Sequence, residues 1–399
     1  MTVTGLEYYR DGIDALDETI VRALARRVAI CRDVAEFKAR TETPMMQPQR
    51  VGVVKHRAAD LGERYGLDRA FVERLYDLVI EMTCRTEDVL IESLMSAPPA
   101  PPPVFIGGEN RSGTTLVSLM VDSHPGMVVG PELDFAEPRD LGPHLLECCR
   151  LLLADDPRVR GHGVRTADPA YEAGVQFARQ AQRCGVPIAA LCGLVETAMR
   201  RSGSDLDTYD QRLALLDAIG RTRLAATGKR RWGIKIQREI AHADRFVRRW
   251  PGARFVHVVR DGRDVAASQR SQPWGYRSIA DAAAGWAGLV NAVRDVVPQK
   301  DCYELRYEDL VADPEAVLRP LCAFLDEPWD ARVLRHADSE HALSANPFEH
   351  PSAEAAGRPV NDASVGRYRR ELSERDIEDF ERIAGDALQR LGYPAAVRA

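Results

Sequence analysis

Cysteine is scarce, eight in 399 residues, and no CxxC pair or shared spacing with the nine histidines suggests a zinc site. The thiols are therefore read as reduced, and no metal requirement is expected. Positive charge is not in surplus either: 54 Lys and Arg stand against 60 Asp and Glu, a formal net charge of −6. That balance argues against a nucleic-acid partner, although local basic pockets remain open. No apolar run approaches the roughly 18–20 residues of a membrane-spanning helix. The opening MTVTGLEYYRDGIDALDETI has early acids and lacks the apolar core of a signal peptide. A cytoplasmic chain of two or three domains is expected, at about 150 residues per domain.

What is present divides at SAPPAPPP, Ser96 to Pro103, a run that cannot continue a helix and favours an extended spacer. The expected organisation is a helical domain at 1–95, a linker at 96–103 and an α/β domain at 104–399. Before the spacer, Ile13, Leu16, Ile20, Leu24, Val28 and Ala35 recur at three- and four-residue steps between Arg10 and Lys38. Two more helices are expected over about Gln49–Tyr65 and Arg69–Leu94. Three unequal helices make a poor globule alone, so a partner chain is expected to complete the core. After the spacer, Val104–Ile106, Arg254–Val259 and Tyr303–Leu305 read as buried strands, the first two followed by a turn and a helix. Leu141 to Lys229 reads as helices.

FIGGENRSGTTL sets a glycine-rich loop between a strand and a helix beginning near Thr114, a geometry that binds phosphate through backbone N–H groups. Arg111 adds a cation, and Ser112, Thr114 and Thr115 add hydroxyls around Gly113. The lysine of a GxxxxGK[ST] loop is missing, and the strand ending at Val259 runs into Arg260 rather than a metal-binding Asp. A magnesium-nucleotide kinase site is therefore disfavoured against a metal-free phosphate ligand. The VRDGRD turn has a second reading, as a surface turn stitched by salt bridges.

FIGGENRSGTTL together with VVRDGRDVAAS resembles the sulfotransferase family that uses 3′-phosphoadenosine-5′-phosphosulfate (PAPS), and RSGTT looks most like the tyrosylprotein sulfotransferase branch. The resemblance covers most of Val104 to Tyr368. It implies that Arg111 to Thr115 hold the 5′-phosphosulfate, and that Arg260 and Ser268 hold the 3′-phosphate. It further implies nucleotide contacts from Tyr307, Ser352 and Arg367, a surface-loop reading of Ser352 being equally open. In that branch a glutamate after the first helix is the base: Glu132 stands at that spacing, with Asp134 its local competitor. Lys235 in WGIKIQRE matches the lysine proposed to stabilise the bridging oxygen, a structural role being the alternative. The expected acceptor is a small molecule with a hydroxyl or amine, and fusion to the helical domain described next points to a chorismate-derived aromatic.

Arg27 and Lys38, eleven residues apart, share a helix face about 16 Å apart along its axis. RDGIDALDETIVRALARRVAICRDVAEFKA, PMMQPQRV and YGLDRAFVERLYDLVIEMTCRTEDVL resemble the all-helical AroQ-type chorismate mutases over nearly all of residues 6–91. The resemblance implies an intertwined homodimer with a dicarboxylate pocket formed by Arg10 (donated across the dimer), Arg27, Lys38, Arg50, Thr83 and Glu87. Two positions depart from the mutase pattern: Glu87 stands where many relatives have glutamine, and Val51 replaces a glutamate. QPQRV looks more like the isochorismate-pyruvate lyases of the same fold. Mutase, lyase, ligand sensor and dimeriser all stay open for this domain. For the other domain, a non-catalytic sensor of PAPS is the rival to a transferase.

Overall fold

Apolar spacing without an internal proline makes α1 (Thr4–Thr41) one long helix, followed by α2 (Pro48–Arg64) and α3 (Arg69–Ser96). The computed structural model describes residues 4–41, 48–96, 100–130, 132–133, 141–154, 156, 169–272, 274–343 and 353–396. Two compact units result, Met1–Ala100 and Pro101–Ala399.

In the first unit α1 and α2 both pack on α3, burying Ala35, Ala58, Ala59, Val72 and Val79. The N-terminal half of the α1 stripe has no such cover. Ile13, Leu16 and Ile20 are 57, 64 and 57% exposed, although their spacing is that of a buried face.

In the second unit five strands form one parallel sheet in the order β2-β3-β1-β4-β5. These are β1 (Val104–Gly107), β2 (Met127–Gly130), β3 (Arg231–Gln237), β4 (Arg254–Val259) and β5 (Cys302–Arg306). Every pairing is parallel, so all five C-terminal ends open on one edge, where open α/β sheets place their ligands. Helix α4 (Thr114–Asp122) follows β1, and α5 (Leu141–Leu153), α6 (Pro169–Arg183), α7 (Ile188–Ser202) and α8 (Tyr209–Thr227) fill the stretch before β3. After the 3-10 turn Arg238–His242, α9 (Ala243–Arg249) precedes β4 and α10 (Gly262–Arg270) follows it. Then come α11 (Ile279–Val296), α12 (Tyr307–Ala312), α13 (Pro314–Phe324), α14 (Ala353–Ala356), α15 (Tyr368–Glu371) and α16 (Glu374–Arg390). One side of the sheet is anchored by Phe105, whose ring lies 4.7 Å from Phe246 and 5.8 Å from Trp232.

Strands β2 and β3 were not among the expected ones. MVVG is only four residues long, and β3 carries Arg231, Lys235 and Gln237, which interrupt the apolar run that marks a buried strand.

The β4–β5 pairing sets His257 opposite Glu304. Burial would push the Glu304 carboxyl up, but His257 at 3.5 Å and Arg294 at 2.8 Å outweigh it and hold the group at about 2. A depressed carboxyl contributes stability above its ordinary value of 4.5 and loses it as pH falls toward 2. Melting temperature should therefore drop more steeply across that window for the native chain than for Glu304→Gln. Parallel slopes would remove this pair from the acid response.

Candidate active site

The loop after β1 is built to expose backbone N–H groups. Arg111 takes φ 75° and Gly113 φ 98°, and the first turn of α4 has no side-chain cap. A left-handed non-glycine residue costs about 1–3 kcal/mol and persists where its surroundings over-determine it, often at functional sites. Gly113 is obligatory for a second reason: a Cβ there would stand 2.5 Å from the Tyr307 ring. Buried Glu109 braces the loop from beneath. It accepts from Arg238, from Gln269 Nε2 at 3.2 Å and from the Asn110 backbone at 3.0 Å. Sequence reading missed Glu109, Arg238 and Gln269, because their meeting depends on three separate segments.

Cations gather around this loop. The Arg111 Nε–H donates to Ser268 Oγ on α10 at 3.1 Å, and Arg260 Nη1 donates to the Arg111 carbonyl at 3.0 Å. The Arg260 guanidinium lies 4.9 Å from the Tyr307 ring centre and 3.6 Å from Asp264. Both oxygens of Asp264 accept backbone N–H groups, from Gly366 at 2.8 Å and Tyr368 at 2.9 Å, which fixes the residue between them, Arg367. Arg367 itself pairs with Glu371 at 2.9 Å. Burial lowers the affinity of the Arg111 guanidinium for its proton, and repulsion from Arg367 and Arg260 lowers it further. Three arginines thus lie within electrostatic reach of one another. Beside them, Ser112 Oγ and Arg260 Nε are buried with no hydrogen-bond partner among the described residues. Buried polar atoms of this kind take a partner from outside the chain, a ligand or a water.

The salt-bridge reading of the VRDGRD turn holds for its other half. Arg263 is fully buried, forked onto Asp261 at 2.7 Å and joined to Glu381 at 2.5 Å, and it holds the turn rather than the loop. This network is core, not surface.

On the opposite flank, Lys235 and Gln237 are two residues apart on β3 and so share a face. Both bond the same oxygen of Glu132, which follows β2. Lys235 is 2% exposed and also donates to Thr115 Oγ1 at 3.0 Å, linking Glu132 to the phosphate loop. A register shift next to Gly107, and φ 44° at Gln237, mark the strand end that aims this pair. Thr114 is buried at the helix start. His124 bonds the Pro328 carbonyl at 2.8 Å and accepts from the Gly126 N–H, a structural role. Asp134 and Ser352 lie outside the described residues.

In the helical unit Arg27 and Cys31 on α1 meet Thr83 and Glu87 on α3. Burial raises the Cys31 thiol and Glu87 raises it further, while Arg27 and Thr83 act against the rise. Thr83 and Glu87 are buried, and among the described residues Arg27 Nε is buried without a hydrogen-bond partner. Cys31 was missed, though its four-residue step from Arg27 places it on the same face. Arg10 and Arg50 are exposed, and the Lys38 side chain lies outside the described residues.

The site is thus a glycine-rich loop at the C-terminal edge of a parallel sheet, ringed by arginines and flanked by a Lys–Glu pair. Residues 102–331 match the family described as "Sulfotransferase family", and residues 9–88 match "Chorismate mutase type II". The chain belongs to the sulfotransferase family and carries an N-terminal chorismate mutase type II domain. Its helical part is 42% identical over 86 residues to a 4-amino-4-deoxychorismate mutase of Streptomyces venezuelae, covering 22% of this chain and 84% of that protein. The remainder is 26% identical over 301 residues to protein-tyrosine sulfotransferase A of Caenorhabditis elegans, covering 73% of this chain and 67% of that one. Among solved structures, the sulfotransferase domain of the Synechococcus PCC 7002 olefin synthase aligns at 21% identity and TM-score 0.45, over 72% of this chain and 97% of that domain. No described helix is long and apolar enough to cross a membrane.

Proposed function

We propose that the chain transfers a sulfuryl group from PAPS to a hydroxyl or amine of a small acceptor, with Glu132 as base. The observation that carries this reading is the mutual proximity of Arg111, Arg260 and Arg367 beside Ser112 Oγ and Arg260 Nε, unpartnered among the described residues. A bisphosphorylated nucleotide fits such a cradle: two separated phosphates need two sets of donors. Ser112 to Thr115 and the start of α4 serve one, and Arg260 with Ser268 serves the other. PAPS supplies an activated sulfuryl group on a phosphate leaving group. Glu132 takes the acceptor's proton as its oxygen attacks. Lys235, held at Thr115, offers a buried positive charge where negative charge develops on the departing oxygen. Tyr307 packs under Arg260 and against Gly113, keeping the guanidinium on the loop. Labelled sulfate should move from PAPS to phenolic acceptors without added metal. Failure with every acceptor, while nucleotide binds, would favour a PAPS sensor.

A second activity is supported by the 42% identity to a 4-amino-4-deoxychorismate mutase and by the Arg27–Cys31–Thr83–Glu87 grouping. Chorismate, or its 4-amino-4-deoxy analogue, would be gripped by Arg27 with cations of a second copy of this chain, whose α1 would cover the exposed Ile13, Leu16 and Ile20. Arg27→Ala should lower consumption of the 4-amino analogue by at least about a hundredfold. Removing residues 1–95 should convert a dimer to a monomer in sedimentation. A persistent dimer would place the interface elsewhere.

A further inference from the structure

The edge of the sheet beyond Glu132 holds positive charge that the transfer chemistry above does not use. Arg223 on α8 is 7% exposed, and among the described residues no hydrogen bond or ion pair reaches its guanidinium. Its position is fixed by β2: a Cβ on Gly130, the last residue of that strand, would lie 3.4 Å from Arg223 Nη1 and 2.7 Å from Cys184 Sγ. Cys184 in turn donates to the Glu132 carbonyl at 3.7 Å, so Arg223 sits at the mouth of the strand that delivers Glu132. Helix α6 adds Arg179 and Arg183, both buried. Burial lowers the proton affinity of Arg183, and Glu132 acts against that, which puts the two within electrostatic reach.

Among the described residues, Glu132 and Asp122 act on this corner electrostatically. Glu132 is committed to Lys235 and Gln237. Asp122 accepts the Val129 N–H at 2.8 Å and faces His341 at 2.7 Å, while Lys229 donates to the Asp122 carbonyl at 2.6 Å. A guanidinium nine-tenths buried without an anion is costly, and a ligand carboxylate would relieve it.

Building on the sulfuryl-transfer reading, we infer that the acceptor is itself an anion: a small molecule carrying a carboxylate that Arg223 holds while its hydroxyl meets Glu132. The guanidinium fork fixes the distance between carboxylate and nucleophile, so the same contact selects the acceptor and orients it.

The test is binding to the full chain saturated with adenosine 3′,5′-bisphosphate, so it needs no turnover. The probes are 4-hydroxybenzoate, 4-hydroxyphenylacetate and 3-(4-hydroxyphenyl)propanoate, each beside its neutral methyl ester. At least one acid should bind tighter than its ester by about tenfold to a hundredfold. That preference should collapse toward unity in Arg223→Met and persist in part in Arg223→Lys. Acids that bind no better than their esters would overturn the inference in the native chain, independently of any variant's folding. A preference that survives in folded Arg223→Met would overturn the role of Arg223. If the bisphosphate itself does not bind, the sulfuryl-transfer reading fails instead, and the two failures are distinguishable.

Discussion

Glu132→Gln is expected to lower sulfuryl transfer by about a thousandfold while adenosine 3′,5′-bisphosphate still binds. The amide keeps the shape of the carboxylate and an oxygen for Lys235, but it cannot take a proton at neutral pH. Glutamine is the informative replacement. Truncation to alanine would leave Lys235, 2% exposed, without its carboxylate, and a broken buried pair costs about 3–5 kcal/mol. The bisphosphate contacts assigned to the loop and to Arg260 do not involve Glu132, so its affinity reports whether the variant is folded. Lys235→Ala should lose turnover as well, by about a hundredfold or more, because the positive charge acts on the leaving oxygen. Undiminished turnover in Glu132→Gln would move the base elsewhere, with Asp134 the next candidate.

Arg260→Ala should act on affinity instead, weakening the bisphosphate by about tenfold to a hundredfold, the loss expected of a charge-assisted hydrogen-bonding group. Turnover at saturating PAPS should fall much less. The geometry supports that split: Arg260 lies over Tyr307 and bonds the Arg111 carbonyl, on the opposite flank from the Lys235–Glu132 pair. Part of the loss would come through the loop itself, since Arg260 also braces Arg111. Arg260→Lys separates the two effects, keeping the charge without the fork. Unchanged affinity in Arg260→Ala would displace the 3′-phosphate from this side of the loop.

Strands flanked by glycine-rich turns were legible from sequence, and this explains why β1 with its loop and β4 with its arginine were read directly. The same signal failed for β3, whose Lys235 and Gln237 are polar because they serve Glu132. The chemistry of the site erased the apolar pattern of the strand. Glu109 was illegible for a different reason: its partners Arg238, Gln269 and Tyr276 lie on other segments, and only the sheet order brings them together. Arg223 and Cys184 belong to the same class, long-range neighbours within helices that carry no motif. In the helical unit the eleven-residue spacing set Arg27 and Lys38 on one face, while Thr83 and Glu87 came from the family resemblance alone. The uncovered α1 stripe is the feature on which the proposed dimer rests.

The central claim is that the arginine-ringed loop holds a nucleotide bisphosphate without metal. Calorimetric titration of the full chain with adenosine 3′,5′-bisphosphate in the presence of a metal chelator, beside magnesium-ATP, tests it most directly. Saturable one-to-one binding of the bisphosphate, at least about a hundredfold tighter than magnesium-ATP, is the predicted result. Equal or tighter binding of magnesium-ATP, or no bisphosphate binding by folded protein, would contradict it.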